Sequence, residues 1–261
     1  MLRSLYTAAT GMEAQELKMD VISNNLANVN TVGFKRVRPE FEDLLSERMQ
    51  AAQAPDPRGG TQPAPLEVGL GVRTTSTTRT FTQGDMLNTG NTLDLAVQGE
   101  GFFRVQRPNG DLAYTRAGNL KVDGTGRLTT ANGFVLDPEI QVPQNATDIT
   151  INSLGVITAK VPNQTAPQEL GAIELTTFQN DAGLESQGGN LLTATAASGE
   201  PQNYKPGENG VGTLAQGYLE NSNIQSVQEM VDMISTQRAY ELNSKVIQTA
   251  DQMLQKLTSL R

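Results

Sequence analysis

Cysteine, histidine and tryptophan are all absent from the 261 residues of this chain. Without cysteine and histidine there can be no thiolate nucleophile, no serine–histidine–acid triad, no imidazole metal ligand and no disulfide. Carboxylate chemistry is left, because a pair of acids can hydrolyse a glycoside. Aromatic residues make up only 5% of the chain, however, and would line a sugar site poorly. We therefore expect no enzymatic activity, no cofactor and no metal site.

Dense positive charge and long apolar runs are missing as well. The net charge is −8 and the isoelectric point is near 4.7, which argues against a nucleic-acid partner. No apolar run approaches the roughly 20 residues that a membrane span needs, so we expect no direct membrane insertion. Glu13, Glu16, Lys18 and Asp20 interrupt the N-terminal segment, and we expect no cleaved signal peptide there.

What the chain does have is an apolar stripe at each end, with positions spaced three or four residues apart. Such spacing predicts one face of an amphipathic helix. The N-terminal stripe, interrupted only by Gln15, consists of Leu5, Ala8, Met12, Gln15, Met19, Ile22, Leu26 and Val29. The C-terminal stripe, interrupted only by Arg238, consists of Val227, Val231, Ile234, Arg238, Leu242, Val246, Ala250, Met253, Leu257 and Leu260.

Two long helices at opposite ends of the chain imply that the termini meet and form one stem. Two interpretations stay open at this point: a helical hairpin that packs on the core of its own chain, or a stem whose stripes pack on other molecules. Because the long stem of Arg238 can lie along an apolar seam, we expect its guanidinium to pair with Glu16 or Asp20 of a neighbouring helix.

The middle of the chain is typical of antiparallel β-structure. Residues 72–82 suit a long, little-buried strand, and short apolar segments at 102–107, 112–116, 120–122, 149–151, 156–161 and 171–178 alternate with Asn-Gly and Asp-Gly turns. The predicted fold class is α+β, with long N- and C-terminal helices forming a coiled-coil-like stem and a mostly antiparallel β head. The predicted domains are the stem at 1–35 and 222–261, an arm at 36–71, and the head at 72–221. Whether residues 145–185 form a separate lobe of the head is left open.

Prolines and glycines change the character of the chain between 46 and about 71. Pro55, Pro57, Pro63 and Pro65 favour an extended backbone and remove hydrogen-bond donors, so we expect no regular element here. The segment is either an arm that braces a neighbouring molecule or a loop without a role.

Motifs at both ends resemble the bacterial flagellar rod and hook protein family. The N-terminal motif is the string 25–36, NLANVNTVGFKR, and the C-terminal motif includes EMVDMI at 229–234, QRAYE at 237–241 and TADQML at 249–254. The signature residues carried over from the family are Asn25, Asn28, Thr31, Gly33, Phe34, Lys35, Gln237, Arg238, Ala239, Tyr240 and Glu241. In the middle, LTTF at 175–178, GLES at 183–186 and QGYLE at 216–220 resemble the distal rod members of that family.

The resemblance implies a structural role. Members self-assemble into a rigid helical tube whose inner wall is formed by the terminal helices, and the distal rod transmits torque from motor to hook. The partners implied are further copies of the chain, proximal rod proteins, the hook protein, the basal-body rings and the flagellar export apparatus. The location implied is the basal body, spanning the periplasm towards the outer membrane, reached by the flagellar type III route.

By the same resemblance the stem positions serve packing. They are Leu5, Met12, Met19, Ile22, Leu26, Val29, Val231, Ile234, Arg238, Leu242, Val246, Met253 and Leu257. Two alternatives are kept: another axial protein, of the hook or proximal rod, and an unrelated secreted β-rich adhesin or carboxylate glycosidase.

Overall fold

A computed structural model of the chain describes residues 2–50, 65–146, 148–162 and 167–259. Two α-helices bracket the described part of the chain, and twenty short strands lie between them. The helices are α1 (Leu2–Ala27) and α2 (Ser226–Ser259). The first ten strands are β1 (Val37–Asp43), β2 (Glu47–Gln50), β3 (Leu66–Val68), β4 (Val72–Arg79), β5 (Met86–Asn88), β6 (Leu95–Gln98), β7 (Phe102–Gln106), β8 (Leu112–Thr115), β9 (Leu120–Val122) and β10 (Leu128–Thr130). The others are β11 (Val135–Asp137), β12 (Asp148–Ile151), β13 (Val156–Lys160), β14 (Gln168–Ala172), β15 (Leu175–Thr177), β16 (Glu185–Gly188), β17 (Leu191–Thr193), β18 (Gln202–Tyr204), β19 (Thr213–Gln216) and β20 (Tyr218–Glu220).

The α+β class is confirmed: the terminal helices enclose a middle whose strand pairs are antiparallel. The N-terminal stripe was predicted to reach Val29, but α1 ends at Ala27. Its end is set by a turn in which the amide of Thr31 donates to the carbonyl of Asn28 and the hydroxyl of Thr31 donates to the side-chain oxygen of Asn28. The asparagine thereby competes with the helix for local hydrogen bonds.

Contact density divides the chain into two compact units. The first comprises residues 1–26, 37–78 and 225–261, and the second comprises residues 27–36 and 79–224. The predicted division into stem, arm and head stays a prediction, and so does the possible separate lobe at 145–185. No helix among the described residues has the length and apolar character of a membrane span.

The second unit is built on a nine-stranded sheet. Its main path runs β16-β17-β8-β7-β11-β10-β9, and β15, which pairs with β18, joins at β7. A core of aliphatic side chains and one phenylalanine fills this unit, including Leu95, Val97, Phe103, Val105, Leu128, Leu136, Ile157, Ile173 and Leu175. A smaller aromatic cluster of Phe102, Tyr114 and Leu192 packs with Phe81 and Phe178.

The segment 171–178 was predicted as one strand, and this is wrong. The structure forms two strands, β14 and β15, with a break at Ile173 and Glu174. Strand β14 pairs with β13, whereas β15 pairs with β7 and β18. Ile173, fully buried, lies where the chain passes from one sheet to the other. An apolar run cannot reveal such a switch, because both sheets bury the same kind of residue.

The expectation that no regular element forms between 46 and 71 is also wrong for the described residues. Strands β2 and β3 pair with each other there, and β1 pairs with β4 just outside. These ribbons carry charge on both faces, with ion pairs such as Arg48–Glu67 and Arg73–Glu42 between paired strands. Strand β4 lies within the strand predicted at 72–82, whereas β1, β2 and β3 were not predicted. Apolar residues are few in these three strands, and ion pairs across the ladders stabilise them. The prolines at 55, 57 and 63 lie outside the described residues.

Candidate assembly interface

The two terminal helices contact each other within the first unit at two places. The side chain of Asn25 donates to the carboxylate of Glu229 over 3.3 Å, and the backbone of α1 at Gly11 approaches Asn243 so closely that an added Cβ would lie 2.9 Å from its amide nitrogen. Asn25 is fourteen residues after Gly11, and Glu229 is fourteen residues before Asn243. The matched spacing shows that α1 and α2 run antiparallel at these contacts.

The face of α2 that turns towards its own chain is only partly apolar. Its buried side chains are Glu229, Thr236 and Ala250. Ala250 was predicted in the apolar stripe, but it faces inward. Three successive steps of four residues from Arg238 rotate a position by about 40° each, which brings Ala250 about 120° away from Arg238, beyond the edge of the stripe at Val246.

The rest of the C-terminal stripe faces away from the first unit's interior. Ile234 is 51% exposed, Val231 55% and Leu242 65%, although all three are aliphatic. Val227, Arg238, Val246 and Met253 are also exposed. A depression of about 430 Å³ along this face is lined by Val231, Ile234, Ser235, Arg238, Ala239 and Leu242. The side chain of Leu257, and Leu260, lie outside the described residues.

The N-terminal stripe is divided between burial and exposure. Ala8 and Ile22 are buried, while Leu5, Met12, Met19, Leu26 and, beyond the helix, Val29 are half-buried. Within the described part of this one chain, Arg238 has no carboxylate within ion-pair distance, so its pairing with Glu16 or Asp20 of a neighbouring helix stays a prediction.

Asn25 ties the end of α1 to the strand that follows. Its amide nitrogen donates to the carbonyl of Val37 over 2.8 Å, and its carbonyl oxygen accepts from the amide of Val37 over 3.0 Å. The side chain thus pairs with a backbone as a neighbouring strand would, and it is buried while doing so. An aspartate at this position would lose the donor.

Gly33 lies at a site that only glycine fits. Its φ of +69° is left-handed, and a Cβ there would lie 2.7 Å from the carbonyl carbon of Arg116 and the amide nitrogen of Ala117. The amide of Gly33 donates to the backbone carbonyl of Glu220 over 2.8 Å. The signature glycine therefore allows the segment after α1 to lie directly against the second unit's own backbone.

Lys35 forms a buried ion pair with Glu220. The ammonium group lies 2.5 Å from one carboxylate oxygen of Glu220 and donates to the carbonyl of Thr82 over 2.7 Å. Both side chains are almost wholly shielded from solvent. Burial lowers the pKa of Lys35 from its usual 10.5, while the charge of Glu220 and its hydrogen bond oppose that shift.

Arg116, the residue directly after strand β8, is the third member of this buried cluster. Its guanidinium lies 3.8 Å from the other carboxylate oxygen of Glu220, donates to the carbonyl of Gly99 over 2.7 Å and stands 5.5 Å from the centre of the Phe102 ring. Burial lowers the pKa of Arg116 as well. Two cations around one carboxylate hold five separate chain segments together, at Lys35, Thr82, Gly99, Arg116 and Glu220. Each charged group would be costly to bury without the others.

Three family models match the chain: "Flagella basal body rod protein" at residues 5–35, "Flagellar hook protein FlgE/F/G D1 domain" at 96–159 and "Flagellar basal body rod FlgEFG protein C-terminal" at 215–260. Among its relatives is the flagellar basal-body rod protein FlgG of Buchnera aphidicola (Acyrthosiphon pisum), 50% identical over 260 residues with both chains covered in full. The proteins of the same name from Caulobacter vibrioides and Bacillus subtilis are 48% and 40% identical, again over the full length of both chains. The chain belongs to the flagellar basal-body rod protein family.

Membership in the rod family confirms the resemblance found in the terminal motifs and the prediction of a structural flagellar protein. The relatives named here are flagellar structural proteins, which leaves the adhesin and the glycosidase without support.

The two halves of the family signature occupy different environments in this rod protein. Within the N-terminal half, Asn25, Gly33 and Lys35 are buried, and Asn28, Thr31 and Phe34 are half-buried. In the C-terminal half, Gln237, Arg238, Tyr240 and Glu241 are exposed and Ala239 is half-buried. Contacts within one chain therefore bury much of the first half of the signature and leave most of the second half exposed.

Sequence reasoning missed the anchoring roles of Glu220, Arg116 and Asn223. Asn223 donates from its side chain to the carbonyls of Thr80 and Thr82 and accepts from the amide of Arg36. A signal for Glu220 did exist, since it is a charged residue directly after the buried Leu219 in a three-residue strand. For Arg116 and Asn223 nothing in the local pattern distinguishes an anchor from a surface residue.

Proposed function

We propose that this chain is a subunit of the distal flagellar rod and that its copies assemble through their terminal helices into a rigid helical tube. The observation that carries the proposal is the exposed stripe of α2. Six of its apolar side chains stand in solvent: Val227, Val231, Ile234, Leu242, Val246 and Met253. From Val227 to Met253 the stripe extends about 39 Å at about 1.5 Å per residue. An exposed apolar face of this length, bordered by charged side chains, marks a protein–protein interface.

The stripe is long enough to drive association. Full burial of one such side chain contributes about 1.5 to 3 kcal/mol, and these are half-exposed to begin with. Covering all six would contribute on the order of 5 to 10 kcal/mol per subunit before the entropy lost on association. In the proposed tube the stripes of neighbouring copies, together with Leu5, Met12, Met19 and Leu26 of α1, pack as a coiled-coil-like stem.

The relatives favour the rod over the hook. Full-length relatives at 40 to 50% identity carry the name of a basal-body rod protein. The assignment to the distal part of the rod draws on the resemblance of the segments at 175–178, 183–186 and 216–220.

The proposed tube transmits torque from the motor to the hook. Its partners are other copies of the chain, the proximal rod proteins, the hook protein and the rings that surround the rod. The subunit reaches its place in the basal body, spanning the periplasm towards the outer membrane, through the flagellar type III export apparatus.

The test replaces Ile234 by aspartate in a motile strain. A carboxylate on the stripe would lose its hydration in a dry interface, so we expect no rods in purified basal bodies and no swimming in soft agar. Because Ile234 is exposed in the single chain, the purified monomer should unfold at an unchanged temperature.

Gln248→Asp is the matched control, because Gln248 is exposed on the same helix but lies about 80° from Arg238, outside the stripe. This variant should assemble and swim normally. Normal rods and normal swimming with Ile234→Asp would contradict the proposal.

A further inference from the structure

All the acidic residues of α1 lie on one exposed ridge. They are Glu13, Glu16 and Asp20, separated by three and four residues. At about 100° per residue these three positions fall within an arc of about 60°. The buried residues of the same helix, Ala8, Ile22 and Asn25 among them, lie on the other side. We call Glu13, Glu16 and Asp20 the acidic ridge.

All the basic residues of α2 likewise lie on one exposed line. They are Arg238, Lys245 and Lys256, separated by seven and eleven residues, and the spacing keeps them within about 20° of each other. This line runs along the exposed apolar stripe, between Ile234 on one side and Leu242 on the other, each about 40° from Arg238 around the helix. We call these three residues the basic ridge.

Neither ridge is used inside the single chain. All six side chains are exposed, and across residues 2–50, 65–146, 148–162 and 167–259 none of them has an opposite charge within ion-pair distance. Both ridges face away from the Asn25–Glu229 and Gly11–Asn243 contacts that join α1 to α2. Two complementary surfaces are thus left free on opposite sides of one helix pair.

We propose that the acidic ridge of one copy docks on the basic ridge of the next copy. This inference rests on the proposed assembly and names the surfaces that meet in it. Identical copies along one tube share an orientation, and α1 and α2 run antiparallel, so the two ridges also meet antiparallel. Asp20 then faces Arg238, and Glu13 faces Lys245.

The spacing of the charges fits this alignment. Glu13 and Asp20 are seven residues apart, and so are Arg238 and Lys245, which places each pair about 10.5 Å apart along its helix. A parallel alignment would match the same distance, but it would reverse the direction of one copy in the tube. Glu16 lies between the two pairs and adds negative charge to the centre of the contact.

Apolar side chains border both ridges. Met12 and Met19 are half-buried and lie about 40° to 60° from Glu16 around α1, and the aliphatic stripe surrounds Arg238 on α2. When these surfaces meet, the apolar borders exclude water from the ion pairs and strengthen them. The apolar contacts supply affinity, while the charges set the register and reject a copy that arrives in the wrong direction.

The experiment reverses the ridges separately and together in a motile strain. Arg238→Glu with Lys245→Glu places acid against acid, and Glu13→Lys with Asp20→Lys places base against base. We expect at least a tenfold loss of rods per purified basal body in each double variant and recovery of most of that loss in the quadruple variant. Asp251→Lys, an exposed charge reversal about 140° from Arg238 around α2, is the control and should assemble normally.

These outcomes separate the two proposals. If Ile234→Asp abolishes rods while either double reversal is tolerated, or while the quadruple variant fails to recover, the stripe is an interface but the ridges do not pair. If Ile234→Asp is also tolerated, the proposed assembly itself fails. Unfolding of each purified monomer at the wild-type temperature shows that lost rods do not reflect a misfolded chain.

Because the chain has no cysteine, one introduced pair reports the contact directly. Asp20→Cys with Arg238→Cys should give a ladder of oligomers when intact basal bodies are oxidised, since each copy would link to the next. The pair Gln15→Cys with Arg238→Cys should give no ladder. Its α1 thiol lies outside the acidic ridge, about 100° around the helix from Glu16. Monomer alone with the first pair would overturn the alignment.

Discussion

At the scale of single residues, a few buried polar side chains decide how the segment after α1 is held. Lys35, Arg116 and Glu220 form a cluster that would be costly if any member were missing, since breaking a buried ion pair costs about 3 to 5 kcal/mol. Asn25 satisfies both backbone groups of Val37. The charged cluster specifies one arrangement of residues 27–36 within the second unit, which an apolar cluster of equal volume would do less selectively.

The close approach of the backbone at Gly33 can be tested by replacing Gly33 with alanine. Gly90 serves as the control, because it has nearly the same φ angle. Gly33 has φ +69° and Gly90 has φ +68°, but only at Gly33 would a Cβ meet backbone atoms; at Gly90 nothing lies within 4 Å. Gly90→Ala should lower the free energy of unfolding by about 1 kcal/mol, the cost of the left-handed conformation alone. Gly33→Ala should lower it by roughly 3 kcal/mol or more, because the clash adds to that cost.

Urea unfolding of the two variants measures this difference. Equal losses for Gly33→Ala and Gly90→Ala would mean that the backbone near Arg116 yields at little cost, and that the close approach does not explain the signature glycine.

At the scale of elements, α2 has two faces that serve different contacts. The inward face lies against α1 at Glu229 and Asn243, and its other buried side chains, Thr236 and Ala250, are small. The outward face carries the aliphatic stripe and the basic ridge. In a helix that packs only within its own chain, the larger apolar side chains turn inward. The distribution of side chains on α2 is the reverse, because its larger apolar side chains lie on the outward face.

The arm between β2 and β3 gives a prediction at the element scale. The paired strands Glu47–Gln50 and Leu66–Val68 hold the two ends of residues 51–65 together. Replacing 51–65 by a two-residue Asn-Gly turn keeps that pairing and removes the proline-containing segment. If the arm braces a neighbouring copy, the variant should be exported and should polymerise, but its tubes should be curved or more flexible in electron micrographs.

A Gly/Ser linker of fifteen residues in place of 51–65 is the control for length, and its tubes should be as flexible as those of the deletion. Straight tubes of unchanged stiffness in both variants would identify the arm as a passive loop.

At the scale of the whole molecule, the contrast between exposed and buried basic residues predicts a pattern of proteolysis. Arg238, Lys245 and Lys256 are exposed on α2, whereas Lys35 and Arg116 are buried in the second unit. Trypsin should cleave the purified monomer first at Lys256 and then at Lys245 and Arg238, because terminal helices open more readily than a packed core. Mass spectrometry of the fragments gives the order.

The same α2 sites should resist trypsin in isolated rods, where neighbouring copies cover them. Cleavage of the monomer at Lys35 as fast as at Lys256 would contradict the expected order, and equal cleavage of α2 in monomers and rods would contradict the assembly.

The sequence by itself determined the two terminal helices, the antiparallel character of the middle and the family. Spacing of three or four residues is a local property that survives in any context, which is why the stripes at 5–26 and 227–253 were recognised. Asn-Gly and Asp-Gly turns are equally local. The charged ribbons β1 to β4 were only partly recognised, because their strands are stabilised by pairs across the ladder rather than by a repeating pattern along one strand.

The tertiary structure alone decided which way the stripes face and which polar residues are anchors. A periodic pattern gives the face of a helix but not the surface that covers it, so an internal hairpin and an external interface predict the same spacing. Lys35 and Glu220 are 185 residues apart, and no local pattern relates them. Burial of their charges follows only from chain segments that meet in space, and so does the free acidic ridge left opposite the contact between α1 and α2.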